Sequence, residues 1–341
     1  MSVYNAVVLR SIKRNVSRIK NKKLPTIAGH KLLYECNLRC KMCPFWRRPD
    51  SKLLSLDQEI LIMEKLKEAG VSYLGFEGGE PLLRNDTPEI LKESHKRFHT
   101  SMVTNGWRLE KKINEIYTSL DFLFVSIDGG MKVHDSMRGM HGSFEHAVRG
   151  INASKHKVPV AMSSTITKEN ISSINDILDL GDDLEVPINF QIEYDYSTAE
   201  KISPEKGKLL ELLNMLIDRK KSSNTIMNTV QYFESIRDSW FYGYKWECRP
   251  WLTINIDPEG KVVTPCYIIN EYSGSDYVWN LDIKKVWNSF DWEPYRSCNK
   301  CALSCYLEPS LFKWTSPSMV KSRIIDATID YIKFNSSRKN Y

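Results

Sequence analysis

No uninterrupted hydrophobic run in this 341-residue chain approaches the ~18 residues that a membrane span requires. The start of the chain lacks the small-residue cleavage site of a secretory signal. No internal repeat or low-complexity tract interrupts it either. Acidic residues are missing from the first 23 positions, where seven Lys and Arg fall between Arg10 and Lys23. Val8, Ile12, Val16 and Ile19 recur there at helical spacing, so one face of such a helix is apolar and the rest basic. That arm suits either an anionic membrane surface or packing onto the body of the protein. No basic and aromatic recognition module follows it, and nucleic acid is not expected as a partner. With 42% hydrophobic and 26% charged residues, the chain can hold one large α/β domain and a smaller one. The expectation is a cytoplasmic protein, where reduced thiols persist.

Two groups of cysteines stand out. Cys36, Cys40 and Cys43 are spaced CxxxCxxC within YECNLRCKMCPFWRRP, just after an apolar run, Lys31 to Glu35, that reads as a strand. Three thiolates in eight residues can chelate a metal centre without closing its coordination. A disulfide framework does not suit a chain of this size without a secretion signal. No histidine lies near enough in sequence to complete a local zinc tetrahedron. The reading that fits is a [4Fe–4S] cube, which takes four ligands and would keep one iron open to a small molecule.

Strands then alternate with helices. Further strands are expected over 72–77, 100–104, 122–128, 158–166 and 188–193. Ser55 and Gln58 form a capping box for a helix through about Glu68, and Thr87-Pro88 opens another in cap-then-proline order. Helical patterns continue over 170–180 and 205–221. Six β-then-α units argue for a parallel sheet with helices outside, and in such folds chemistry gathers at the C-terminal ends of the strands. Gly78-Gly79-Glu80-Pro81 follows the second strand, offering close backbone approach and a carboxylate that can accept from an ammonium. Thr104-Asn105-Gly106 and Ser126-Ile127-Asp128-Gly129 end the third and fourth. Glu193 ends the sixth, as a cavity-facing contact to substrate or adenine, or as a solvent-exposed residue. His134, His141 and His146 read as surface or helix-packing residues.

From Trp246 the composition shifts. Cys248, Cys266, Cys298, Cys301 and Cys305 cluster with turn residues and tryptophans, and a hairpin over 253–256 and 262–264 delivers Cys266. Five cysteines in under sixty residues point to a metal, with zinc a runner-up because CxxC is also a zinc-knuckle element. The tail, with Val320, Ile324, Ile325, Ile329 and Ile332, is a second amphipathic, partly basic helix.

The first cysteine group, with Asn37 to Arg39 and Lys41-Met42 in its gaps, resembles the signature of the radical S-adenosylmethionine (SAM) superfamily. Met42 stands where that family more often has an aromatic residue. Gly78 to Pro81 matches the family's GGEP motif. The resemblance implies an α/β fold, an open (β/α)6 partial TIM-type barrel with a small cysteine-rich C-terminal domain. It implies that the amino and carboxylate groups of SAM chelate the fourth iron. An electron, delivered by a reductant such as ferredoxin or flavodoxin, then cleaves SAM to methionine and a 5′-deoxyadenosyl radical. Implied SAM contacts are Gly78, Gly79, Glu80 and Pro81 for the methionine amino group, with Thr104, Asn105, Ser126 and Asp128 at the strand ends. Arg138 would pair with the SAM carboxylate, and Ser164, or its neighbour Ser163, would supply a polar contact from strand five. The second group resembles the SPASM extension or its shorter relative, the twitch domain. Five cysteines in place of seven imply one auxiliary [4Fe–4S] cluster, held by four of them or by three with an open iron.

The expected division is an N-terminal arm over 1–27, the barrel over 28–225, the auxiliary domain over 226–310 and a tail over 311–341. The expected reaction is hydrogen abstraction from, or radical addition to, an organic substrate. Two basic amphipathic segments favour a membrane lipid, met by peripheral contact on the inner face. So does a likeness of Cys305-Tyr-Leu-Glu-Pro-Ser to family members acting on isoprenoid lipids. The alternatives are a ribosomal peptide or protein, for which the arm is too short to fold as a leader-binding domain, and a tetrapyrrole. From another class, the chain reads as a non-catalytic iron–sulfur or zinc protein in electron transfer or assembly.

Overall fold

A computed structural model describes residues 23–48, 52–240, 246–270 and 276–311. The basic arm and the amphipathic tail lie outside these residues. Among those described, no helix is long and apolar enough to cross a membrane.

Eight strands form one sheet in the order β6-β5-β4-β3-β2-β1-β7-β8. The strands are β1 (Ile27–Lys31), β2 (Tyr73–Glu77), β3 (His99–Thr104), β4 (Phe122–Ser126), β5 (Val160–Ile166), β6 (Ile188–Ile192), β7 (Thr253–Ile256) and β8 (Val262–Val263). Neighbours pair in parallel throughout, except β7 with β8. Helices return the chain between strands: α1 (Leu56–Ala69), α2 (Thr87–His95), α3 (Leu109–Ile116), α4 (Met131–Arg138), α5 (Ser143–Ser154) and α6 (Ile174–Leu184), with α7 (Lys206–Ser222) after β6. This is the expected partial (β/α)6 barrel. Alternation sorts its faces: Leu123, Val125 and Ile127 join the core beneath the helices, as do Ile188, Phe190 and Ile192. Residues between them, including Ser126, Asp128, Gln191 and Glu193, take the opposite, inner face.

Local chemistry sets several boundaries. The α1 capping box forms as expected: the Ser55 side chain accepts from the Gln58 amide and the Gln58 side chain accepts from the Ser55 amide. Helix α2 instead starts at Thr87 with Asp86 as its N-cap, because the Thr87 hydroxyl donates to the Pro81 carbonyl at 2.6 Å and does not cap the helix. The first strand, expected over 31–35, is Ile27–Lys31. Leu32 still donates its amide to Glu77, but the Leu33 and Glu35 carbonyls accept from the amides of Gly79 and Glu80. That apolar run is therefore the descent from sheet to cysteine loop. The hairpin β7–β8 continues the barrel sheet, β7 lying parallel against β1.

Helix α11 (Ser304–Leu311), numbered after α8 (Val230–Ser235), α9 (Ile283–Ser289) and α10 (Glu293–Arg296), reaches both sides of the sheet opening. The Asn189 amide of β6 lies 3.4 Å from the Ser304 hydroxyl, and the Asn255 amide of β7 donates to the Tyr306 hydroxyl at 3.0 Å.

One buried ionic chain fixes α1 to β1. His30 on β1 meets Glu59 at 2.7 Å, and Glu59 meets Arg84 at 2.7 Å, both carboxylate oxygens being used. Arg84 also donates to the Leu54 carbonyl at 2.6 Å and pairs with Asp86. Glu59 is completely buried, so removing it strands two buried partners. Glu59→Ala is expected to lose about 3–5 kcal/mol of stability, read as a lowered thermal midpoint. An unchanged midpoint would contradict a structural role for these buried contacts.

Candidate active site

The loop carrying Cys36, Cys40 and Cys43 hangs on the end of a helix. The amides of Arg39 and Lys41 donate to the carbonyls of Arg138 and Met137 at 3.1 and 3.0 Å, partnering the last turn of α4, where carbonyls lack intrahelical donors. Gly139 ends that helix at φ +63, a left-handed cap, and passes against the Arg39 backbone. Inside the loop the cysteines share one apolar cluster with Leu38, Met42, Met137 and Ile202. Burial pushes the Cys36 thiol up to about 12 and the Cys40 thiol up to about 11, with neighbouring cysteines adding to both.

Three donors address the sulfurs: the Leu38 amide at 3.4 Å and the Asn105 side-chain amide at 3.8 Å to Cys36, and the Arg138 guanidinium at 3.7 Å to Cys40. Such contacts tune the potential of a bound cluster. The other side of the Arg138 guanidinium lies 2.6 Å from Asp128, so the residue expected at the SAM carboxylate bridges Asp128 to the cluster loop. Asp128 is fully buried; it accepts from the Thr165 amide, and burial raises its pKa against the pull of Arg138.

The GGEP turn is built for contact with the descending chain. Gly78 has φ +129, and a Cβ on Gly78 or Gly79 would overlap the carbonyl oxygens of Leu33 and Glu35. Glu80 points inward. Its carboxylate accepts from the Thr104 hydroxyl at 2.7 Å and from the amides of Asn105 and Leu82 at 2.7 and 3.1 Å. Glu80 is thus fully engaged within the protein, and Pro81 opens a short 3₁₀ turn behind it. Thr104 and Asn105 belong to the same clamp; Asn105 also donates to Asn37 at 2.9 Å. Ser126 lies buried at the inner end of β4. On β5, Ser164 shares its face with Met162 and Ile166, and its hydroxyl has no partner among the described residues. Ser163 takes the inner face. His134 is buried as helix packing: its Nδ1 accepts from the Asp128 amide at 3.1 Å, and burial lowers its pKa to about 3.

Of the second cysteine group, four line one small, partly open pocket: Cys248, Cys266, Cys298 and Cys301, with Trp246 and Leu307 among its apolar walls. Burial pushes Cys266 up to about 11 and holds Cys248 and Cys301 high, each raised further by fellow cysteines. Cys305 lies off this pocket on α11. Its side chain is exposed in this structure, and it interacts electrostatically with Glu77 and Lys31, at the ends of β2 and β1, and with Cys266. Sequence reasoning missed what stands there. The Lys31 ammonium pairs with Glu77 at 2.7 Å and sits 4.0 and 4.3 Å from the Phe45 and Tyr267 rings. Phe45 also stacks on Tyr34 and meets Tyr196 edge-on. Phe45 lies two residues after Cys43 and Tyr267 directly after Cys266, which was the available signal.

Residues 31–181 match the family model of the radical SAM superfamily, and residues 188–325 match one described as a domain of unknown function, DUF3463. The radical SAM match covers somewhat less than half of the chain, and the cofactors of that family are a [4Fe–4S] cluster and SAM. Fe-coproporphyrin III synthase of Methanosarcina barkeri is 31% identical over 161 residues, 45% of this chain and 40% of that protein. The match therefore spans less than half of that relative. Among solved structures, SuiB of Streptococcus suis bound to SAM aligns with a TM-score of 0.64 at 17% identity, over 84% of this chain and 71% of SuiB. The AdoMet-bound anSMEcpe aligns at 0.63 and 17% identity, over 81% and 84%. At that identity these two show the fold.

The glycine turn gives a direct check. Gly79→Ala is expected to prevent cluster assembly at the first cysteine trio while sparing iron at the second group, measured as iron content after anaerobic reconstitution. Full iron content in the variant would contradict the close packing of turn against loop.

Proposed function

We propose that the first trio holds a [4Fe–4S] cluster and that the protein uses SAM reductively on a bulky apolar substrate. The observation that carries the reading is that Cys36, Cys40 and Cys43 share one apolar nest, met at their sulfurs by Asn105 of the Glu80 clamp and by Arg138. Bound there and given an electron by an external reductant, cluster and SAM would supply the radical chemistry acting on the substrate, with methionine released. The chain's own part is to orient and to exclude water. Gly78 and Gly79 present backbone to the SAM amino group, Ser163 stands in for the contact expected at Ser164, and Leu38, Met42 and Met137 keep the cluster face dry.

Cys248, Cys266, Cys298 and Cys301 would hold the auxiliary cluster of a SPASM- or twitch-type extension. Zinc is the runner-up there, because CxxC is also a zinc-knuckle element. Four ligands would close the auxiliary cluster, and Cys305 would stay outside it.

The wall of Tyr34, Phe45, Tyr196 and Tyr267 between the two cysteine groups favours a large hydrophobic substrate. An isoprenoid-type lipid fits it and agrees with the basic arm, which would meet an anionic membrane. A tetrapyrrole is the second reading, favoured by the name of the Methanosarcina relative; its flat ring would stack on the same wall.

Anaerobically reconstituted protein is expected to carry about eight irons and to release 5′-deoxyadenosine from SAM with dithionite. Cys43→Ala should abolish that release. Cys266→Ala should lose about four irons, whereas Cys305→Ala should keep all of them. Release persisting in Cys43→Ala, or equal iron loss in the last two variants, would contradict the assignment.

A further inference from the structure

The side chains of the first cysteine trio share an apolar cluster with Leu38, Met42 and Met137, but the carbonyls of the same loop are met by cations. The Arg39 guanidinium donates to the Cys36 and Leu38 carbonyls at 2.6 and 2.9 Å. That of Arg47 donates to the Cys40 carbonyl at 3.4 Å and to the Cys43 carbonyl, and the Trp46 indole N–H donates to Cys40 at 2.9 Å. Both guanidiniums lie on the Trp46 ring, 5.1 and 4.2 Å from its centre. Arg39 is exposed, and Trp46 and Arg47 are half-buried. Residues 36–48 hold four cations, Arg39, Lys41, Arg47 and Arg48, and no acid. Lys41 pairs with Glu169 at 2.8 Å. Arg39 and Arg47 instead spend their N–H groups on neutral carbonyls and form no ion pair among the described residues, so their charge is not cancelled. Stacking on an indole holds such a guanidinium in place, with little freedom left to lose when a partner arrives.

We propose that the Arg39–Trp46–Arg47 face is the docking surface for an acidic one-electron carrier protein of the flavodoxin or ferredoxin kind. The inference rests on the reading that the trio holds a cluster. That cluster has to receive its electron from outside the chain, and this face borders it through single hydrogen bonds. An electron arriving at the Trp46 ring has one hydrogen bond and the Cys40 residue between itself and a ligating sulfur. One electron leaves the carrier, which is oxidised, and the cluster takes it up and is reduced; no bond forms or breaks. Uncancelled positive charge supplies the steering, because carriers of this class are acidic and electron-transfer complexes are small, weak and guided by charge. Arg and Trp are also the residues that carry most binding energy where proteins meet. Tethering the guanidiniums to the carbonyls of the cysteines themselves fixes where the carrier sits relative to the cluster. The second cysteine group has an exposed cation of its own, Lys300 between Cys298 and Cys301, and is the competing point of entry.

The test follows the reduction of reconstituted protein by flavodoxin hydroquinone, by anaerobic stopped-flow absorbance. Wild type should slow about tenfold between about 0.02 and about 0.5 M salt. Arg39→Glu should slow reduction about tenfold at low salt and flatten that dependence. Arg39→Lys, which keeps the charge, should stay within about threefold of wild type. Lys300→Glu, the opposite charge placed at the second group, should match wild type. Iron content, and the extent of reduction by dithionite, should be unchanged throughout. If Arg39→Glu loses iron, Arg39→Gln carries the test: it keeps an N–H donor for the Cys36 carbonyl, and about threefold slowing is expected. A rate indifferent to salt, a wild-type rate in Arg39→Glu, or equal slowing in Lys300→Glu would each overturn the inference. So would an unchanged rate in Arg39→Glu joined to lost sedimentation with phosphatidylglycerol vesicles, which would assign the face to a membrane. Protein that dithionite cannot reduce defeats the cluster reading. Protein that dithionite reduces normally, while the carrier ignores residue 39, defeats this inference alone.

Discussion

The close contact of two backbones underlies the site. Gly78 and Gly79 lie so near the carbonyls of Leu33 to Glu35 that side chains are excluded, and the amides of Gly79 and Glu80 close the gap with hydrogen bonds. This contact turns the chain out of β1 and sets where the first cysteine begins. Glu80 secures it from behind by gathering Thr104, Asn105 and Leu82 on one carboxylate. A fully buried acid is tolerated here because three donors replace its water. Loop, turn and strand end thus form one unit, and the cysteines inherit its rigidity.

A second constraint comes from charge. Arg138 is a buried cation between Asp128 and the Cys40 sulfur. Before any cofactor binds, it neutralises Asp128; with thiolates present it would also offset their negative charge. The same residue therefore serves the loop and the strand end together, and its helix anchors the loop through the Met137 and Arg138 carbonyls. The far side of the mouth is handled differently, by rings: Lys31 is held by Glu77 and two aromatic faces, at the seam where the cluster loop meets the chain following Cys266.

Much of this was legible in the sequence because it is local. Cysteine spacing, the GGEP turn, the Ser55 capping box and the six β-then-α units each depend on residues close along the chain. What was not legible depends on distance or on register. Lys31 to Glu35 is apolar enough for a strand, but its carbonyls serve the GGEP turn, a partnership 44 or more residues away. Ser163 and Ser164 are adjacent and chemically alike, so only the register of β5 separates an inner serine from one on the core face. His30, Glu59 and Arg84 carry no motif, and only the fold brings them into contact. Five cysteines were visible as a group, yet which four line one pocket depends on how the fold places α11, which leaves Cys305 off that lining and exposed.

The central claim is a cube on Cys36, Cys40 and Cys43 with one iron reserved for SAM. Electron paramagnetic resonance of the dithionite-reduced, anaerobically reconstituted protein, recorded with and without SAM, addresses it most directly. The account predicts a [4Fe–4S]⁺ signal whose shape changes when SAM is added. A reduced signal indifferent to SAM, or no cluster signal from that trio, would contradict it.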